Sequence, residues 1–188
     1  MQNKIPKVYY FIDEINLSDL YKLGKNIDLI YRNYQKKISH KELLPLKKFC
    51  KFTKRKLFIS NNIKLALDLK LDGIYIPSFN KKINYLSSFS IPTKFEIIGS
   101  AHKLNEVQTK KLQGCKKVFL SPIFKVSKSK KYLNIHNFNK LTSDNKIKYI
   151  ALGGINERNL KKIRLTKSLG FAGISWIKKN GLRKLRPF

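Results

Sequence analysis

Short apolar runs that favour extended backbone alternate along this chain with stretches whose apolar residues recur at helical spacing. That alternation constrains the fold more than any other feature of the sequence. A strand followed by a helix brings the chain back to its starting end, so successive strands lie parallel and each is covered on its outer face. Eight such runs occur, at residues 8–13, 28–34, 56–61, 73–78, 94–101, 116–124, 148–154 and 171–178. Between them, Leu43, Leu44, Leu46 and Phe49 mark one helical face, and Ile63, Leu65, Ala66, Leu67 and Leu69 mark another. Leu104, Val107 and Leu112 mark a third, and Leu160, Ile163 and Leu165 a fourth. Strands at this even spacing predict an α/β fold, a TIM (β/α)8 barrel whose chemistry sits in the loops after the strands' C-terminal ends. With 188 residues the barrel is small beside the roughly 250 typical of the fold. It is expected to be a single domain over 1–188. Little chain follows the eighth run, only Asn180 to Phe188 and the residues just before them, so the last helix is expected to be stunted or missing. An open doubly wound sheet is the alternative, but no G-x-G-x-x-G turn follows the first strand.

The remaining composition narrows the function classes. Hydrophobic residues make up 42% of the chain, with 12 Phe and 9 Tyr, enough for a packed core rather than disorder. There is no uninterrupted apolar run of about 18 residues, so no membrane-spanning helix is expected. Met1 to Lys7 lack the apolar segment of a secretory leader. Cys50 and Cys115 stand far apart with no C-x-x-C spacing, the usage of free thiols in a reducing cytoplasm. The extreme number is the net charge of +30, from 41 Lys and Arg against 11 Asp and Glu. These lysines are scattered rather than gathered into a stripe, which speaks against nucleic-acid binding. A field of this sign still draws in anionic, phosphorylated substrates.

Three strand ends carry residues suited to that task. The seventh run ends in Ala151-Leu-Gly-Gly-Ile-Asn156, where Gly153 and Gly154 would let a phosphate approach backbone N–H groups closely. The eighth run, Gly170-Phe-Ala-Gly-Ile-Ser-Trp-Ile177, would supply the other half of a phosphate site. The sixth leads into Lys125-Val-Ser-Lys-Ser-Lys-Lys131, where Ser127, Ser129 and Lys130 suit a loop that grips phosphate. His102 stands just past the fifth run, placed for proton transfer near neutral pH. His40 and His136 receive no role, and no set of His and carboxylates has metal-ligand spacing.

Taken in order, Tyr9-Tyr-Phe-Ile-Asp13, Ile30-Tyr-Arg-Asn-Tyr34, Leu71-Asp-Gly-Ile-Tyr75, Gly99-Ser-Ala-His102, Leu120-Ser-Pro-Ile-Phe124 and Ala151-Leu-Gly-Gly-Ile155 resemble the thiamine phosphate synthase/TenI family. The resemblance covers nearly the whole chain. It is strongest to a divergent synthase branch with Arg-x-Tyr on strand two, Ala-His after strand five and Ser-Pro-x-Phe on strand six. It implies a TIM barrel of thiamine biosynthesis. The expected reaction is a transfer that joins hydroxymethylpyrimidine pyrophosphate to thiazole phosphate and releases pyrophosphate with the help of Mg²⁺. The synthases' Q-x-R-x-K pattern on strand two falls here on Ile30, Arg32 and Tyr34, keeping only the Arg. Their N-D after strand three falls on Ser60 and Asn61, and their second metal Asp on Asn80. The implied Mg²⁺ site, Asn61 with Asn80, is thus degraded, two neutral amides standing for two charges. The T-x-T-K loop is matched by Ser127, Lys128, Ser129 and Lys130, and the phosphate clamp by Gly153, Gly154 and the backbone near Ile177 and Lys178.

By resemblance, Arg32, His102 and Lys130 are the expected catalytic residues. Arg32, Ser60, Asn61, Ser127, Ser129, Lys130, Gly153, Gly154, Ile177 and Lys178 are expected to bind the phosphorylated substrates, in a cytoplasmic protein that is open to forming homo-oligomers. Two alternatives stand beside the synthase. One is a metal-free, TenI-like thiazole tautomerase (aromatase) with His102 moving the proton. The other is a non-catalytic barrel that binds a phosphate ligand or RNA.

Overall fold

A computed structural model describes residues 6–24, 26–127, 129–143, 146–173 and 177. Its strands are β1 (Lys7–Ile12), β2 (Ile27–Tyr31), β3 (Leu57–Ser60), β4 (Gly73–Ile76), β5 (Glu96–Ala101), β6 (Lys117–Leu120), β7 (Lys148–Leu152) and β8 (Gly170–Gly173). They pair in parallel and in sequence order, and β8 returns to β1 to close the barrel. The helices are α1 (Leu17–Tyr21), α2 (His40–Phe52), α3 (Ile63–Asp68), α4 (Leu104–Leu112), α5 (Asn134–Leu141) and α6 (Glu157–Leu160), the last running into a 3-10 turn (Lys161–Leu165). The expected eight-stranded α/β barrel is present. Residues 178–188, where a stunted last helix was expected, lie outside the described residues.

Strand alternation builds two cores. Tyr9, Phe11, Ile30, Phe58, Tyr75, Ile98, Phe119, Ile150 and Ala172 point inward and fill the barrel. Their neighbours along each strand, such as Val8, Tyr10, Leu29 and Ile59, point outward under the helices. The interior is unusually aromatic. Phe11 meets Tyr75 and Phe119 at ring separations of 5.1 and 5.3 Å, and Tyr9 meets Phe119 edge-on at 5.2 Å. Such edge-to-face pairs add roughly 0.5–1.5 kcal/mol each beyond burial.

At the N-terminal end of the barrel, Glu96 is ion-paired to both Lys56 and Lys117. Burial works to raise the Glu96 carboxyl, but the two ammonium groups outweigh it and hold it below the usual range. Lys7 pairs with the buried Asp28 at 2.7 Å. These charges stand at the end opposite the loops that carry chemistry in barrels.

The outer layer departs from the sequence pattern in two places and from the regular strand–helix alternation in a third. In α4, Val107 is buried as expected, but Leu104 and Leu112 are exposed and the second buried residue is Lys110. Residues 77–95 form turns, not a helix; Tyr85, Leu86, Phe89, Ile91 and Phe95 cover the core from there. In the 3-10 turn Ile163 is buried, while Leu165 is exposed. No helix among the described residues is long and apolar enough to cross a membrane.

Cys50 and Cys115 are both buried and free, and burial pushes each thiol up to about 12. Neither offers thiolate at neutral pH. The native protein should therefore resist a thiol reagent over the time in which the denatured chain reacts at both cysteines. Rapid labelling of the native state would contradict this burial.

Candidate active site

A cavity of about 1080 Å³ opens at the C-terminal ends of the strands. Arg32 enters it after β2, and His102 and Lys103 after β5. The segment after β6 contributes Ser121, Lys125, Ser127, Ser129 and Lys131; the turn after β7 contributes Gly153, Gly154 and Asn156. Ala172 and Gly173 close the ring at the end of β8.

The β6 segment reaches across the mouth because it keeps pairing with β7 beyond the regular strand. After a cis Ser121–Pro122 peptide, Ile123 N donates to Leu152 O at 2.9 Å and Phe124 N to Gly153 O at 3.1 Å. Returning, Leu133 N donates to Pro122 O at 2.9 Å and Asn134 N to Ile123 O at 3.0 Å, which ties the chain before Phe124 to the chain after Tyr132. Between them Val126 bridges Ser129, and the Ser129 hydroxyl donates to Lys131 O at 2.9 Å.

The β7 turn admits only glycine. Gly153 and Gly154 adopt φ of 91° and 72°, in the left-handed region. A Cβ on Gly153 would lie 2.7 Å from the Pro122 side chain, and one on Gly154 2.5 Å from Phe124 O. Asn159 Nδ2 donates to Gly154 O at 2.8 Å. Because the two ends of a trans peptide point oppositely, the Ile155 N–H is turned away from that asparagine.

Arg32 is steered by aromatic faces. Its guanidinium lies 4.7 Å from the Phe11 ring centroid and 5.9 Å from that of Tyr34. His102 Nδ1 lies 2.9 Å from Ser121 O, an acceptor, which assigns the ring proton to Nδ1. Nε2 is then free to accept from Ser78 Oγ at 3.2 Å.

A second group of polar residues runs along the rim beside this cavity. Ser60 Oγ lies 3.4 Å from Tyr34 OH, and Tyr34 packs edge-on against Phe79 at 5.3 Å. Asn61, at φ 53°, accepts at Oδ1 from Asn80 Nδ2 at 2.6 Å. Asn80 Oδ1 in turn accepts from Lys82 N at 3.1 Å. Both amide oxygens are therefore engaged within the protein. A hard divalent cation takes oxygen ligands, and Mg²⁺ is usually anchored by one or two carboxylates. Among the described residues, no group of three His, Cys, Asp or Glu could hold a metal. The Asn61–Asn80 pair does not fit Mg²⁺.

Behind this pair lies a charge the sequence pattern missed. Lys110 Nζ donates to Pro77 O and Asn80 O, both at 2.7 Å, and to Gln113 Oε1 at 2.8 Å. Burial pushes its ammonium down to about 8.

Of the residues expected from sequence, Arg32, His102, Ser127, Ser129, Gly153 and Gly154 surround one cavity. Ser60, Asn61 and Asn80 lie on the adjoining rim. Lys130 is not among the lining residues, whereas Lys103, Lys125 and Lys131 are. Ile177 is fully buried, and a Cβ on Gly173 would lie 2.8 Å from it. Lys178 lies outside the described residues, as does Lys128.

Known proteins resemble this chain in sequence and in fold. The family model for thiamine monophosphate synthase matches residues 24–177. A thiamine-phosphate synthase of Prochlorococcus marinus is 32% identical over 127 residues, covering 65% of this chain and 36% of that protein. A second from the same species is 28% identical, and the match again covers only 37% of it. The chain thus spans little more than a third of these two relatives. The thiamine-phosphate synthase of Fusobacterium nucleatum is 25% identical over 186 residues, 93% of this chain and 88% of that protein. In fold, the thiamine phosphate pyrophosphorylase of Pyrococcus furiosus superposes with a TM-score of 0.76 at 18% identity, over 98% of this chain and 96% of that one. With the family pattern running from before β2 to the end of the barrel, the chain belongs to the thiamine monophosphate synthase family.

Proposed function

We propose that this barrel is a thiamine phosphate synthase, joining hydroxymethylpyrimidine pyrophosphate to thiazole phosphate with release of pyrophosphate. The observation that carries the reading is the cavity itself. It holds a left-handed Gly153–Gly154 turn on one side and the Arg32 guanidinium on another, with Lys103, Lys125 and Lys131 around it. Such a mouth accepts two anionic groups, as a reaction between two phosphorylated substrates requires. The thiazole phosphate would sit on the glycine turn, and Arg32 would face the pyrophosphate. Negative charge gathers on the departing pyrophosphate, so fixed cations around it lower the barrier.

The tautomerase reading is less well supported. In its neutral form, both ring nitrogens of His102 already have partners, Ser121 O and Ser78 Oγ. That arrangement suits a residue holding the mouth together more than one shuttling a proton.

The test is isothermal titration with thiamine phosphate and thiazole phosphate, combined with turnover assays in Mg²⁺ and in EDTA. Both ligands should bind, and turnover should survive chelation, because the Asn61–Asn80 pair does not fit the cation. Loss of turnover in EDTA would show that a metal is held elsewhere or carried in by the substrate. Failure of both ligands to bind would end the synthase reading.

A further inference from the structure

Lys110 lies on the inward face of α4, where helical spacing calls for an apolar residue, and its side chain is fully buried. Its stem passes beneath β5. A Cβ on Gly99 would lie 2.7 Å from Lys110 Cδ, so the absence of a side chain at Gly99 makes the room. An ammonium has three protons to donate, and three oxygens receive them: Pro77 O, Asn80 O and Gln113 Oε1. A buried charge is tolerated only when satisfied in this way. Gln113, on the turn that ends α4, adds bonds from Nε2 to Asn80 O at 3.0 Å and to Lys82 O at 2.8 Å.

Residues 77–82 have no helix of their own to order them. Their carbonyls instead converge on one cation, much as a loop wraps a metal ion. Here the cation is tethered to a helix. The product of this ordering is the Asn80 side chain aimed at Asn61, at 2.6 Å.

We propose that Lys110 is a positioning residue whose ammonium fills the oxygen cage of Pro77, Asn80 and Gln113, and so holds Asn80 against Asn61 without a divalent cation. What the pair then faces, a pyrophosphate group, rests on the synthase reading; the ordering of the loop does not.

Two measurements decide it. The first is hydrogen exchange at the backbone amides of 78–82, with Mg²⁺ and with EDTA, in the wild type and in Lys110→Met. Wild-type protection should be the same in both buffers. In Lys110→Met the loop should exchange at least about tenfold faster while β4 keeps its protection, as a local opening would produce. Unchanged exchange in the variant, or wild-type protection that needs Mg²⁺, would overturn the proposal. If Lys110→Met does not fold, the comparison of the two buffers on the wild type decides alone.

The second is titration with inorganic pyrophosphate of Lys110→Met, Asn80→Ala and the double variant. If Lys110 acts through Asn80, all three lose affinity to the same extent; additive losses would refute a positioning role. A wild type that does not bind pyrophosphate would count against the synthase reading, and the exchange experiment would still judge Lys110.

Discussion

Gly170→Ala should destabilise the barrel at its closing seam. Gly170 opens β8 opposite Lys7 in the β1–β8 pair, the contact that closes the sheet on itself. A Cβ there would lie 1.9 Å from Lys7 O and 2.7 Å from Lys7 N. Both are backbone atoms held in the strand ladder, so no side-chain rotation relieves the clash. Overpacking costs about 1–3 kcal/mol, and a clash with rigid backbone falls at the upper end, about 3 kcal/mol. In a domain of this size that lowers Tm by roughly 10 °C. Because the strain falls on the seam, the expected outcome is a sharp fall in Tm with early loss of protection in β1 and β8. A variant that melts within about 2 °C of wild type would mean the seam can part and reform around a methyl group.

Gly154→Ala tests the opposite end of the barrel. Its φ of 72° is strained for any residue with a Cβ, and that Cβ would lie 2.5 Å from Phe124 O and 2.6 Å from Lys125 O. Relief requires the β7 turn to leave the β6 segment, which swings the nearby peptide N–H groups out of register with a phosphate. Losing two hydrogen bonds to a charged group costs on the order of 3 kcal/mol, or at least about a hundredfold in affinity for thiazole phosphate. Arg32→Met is the informative control. It should weaken pyrophosphate and leave thiazole phosphate binding nearly intact, the reverse of Gly154→Ala. If both variants weaken both ligands equally, the two anion positions assigned to the cavity are not separate.

Much of this architecture could be read from residue order because strands in a parallel barrel are buried on both faces and so leave continuous apolar runs. Several strands nonetheless end earlier than their runs. The sixth run extends to Phe124, yet β6 ends at Leu120, because Ile123 and Phe124 go on pairing with β7 outside the regular ladder. The α4 face departs from its pattern for a different reason. Periodicity counts lysine as solvent-facing, and only the three-dimensional placement of Pro77, Asn80 and Gln113 shows what its charge meets. The missing helix between β4 and β5 left no periodic signal, and the aromatic residues that replace it act singly. In the site, strand ends brought Arg32, His102 and the glycine pair to one cavity. That Lys125 and Lys131 line the cavity reflects loop geometry, which depends on the closure at Pro122 and Leu133 rather than on spacing.

The aromatic filling of the barrel has a consequence for how such a protein can change over generations. The rings of Tyr9, Phe11, Phe58, Tyr75 and Phe119 separate the salt-bridged lower end from the cavity at the opposite mouth. Substitutions at one end are then insulated from the other by a dense, incompressible layer. A lineage could exchange carboxylates for amides at Asn61 and Asn80, and recruit a lysine behind them, without renegotiating the stability of the scaffold. The barrel is inherited as one unit and its mouth as another, so that chemistry can drift while the fold stays fixed.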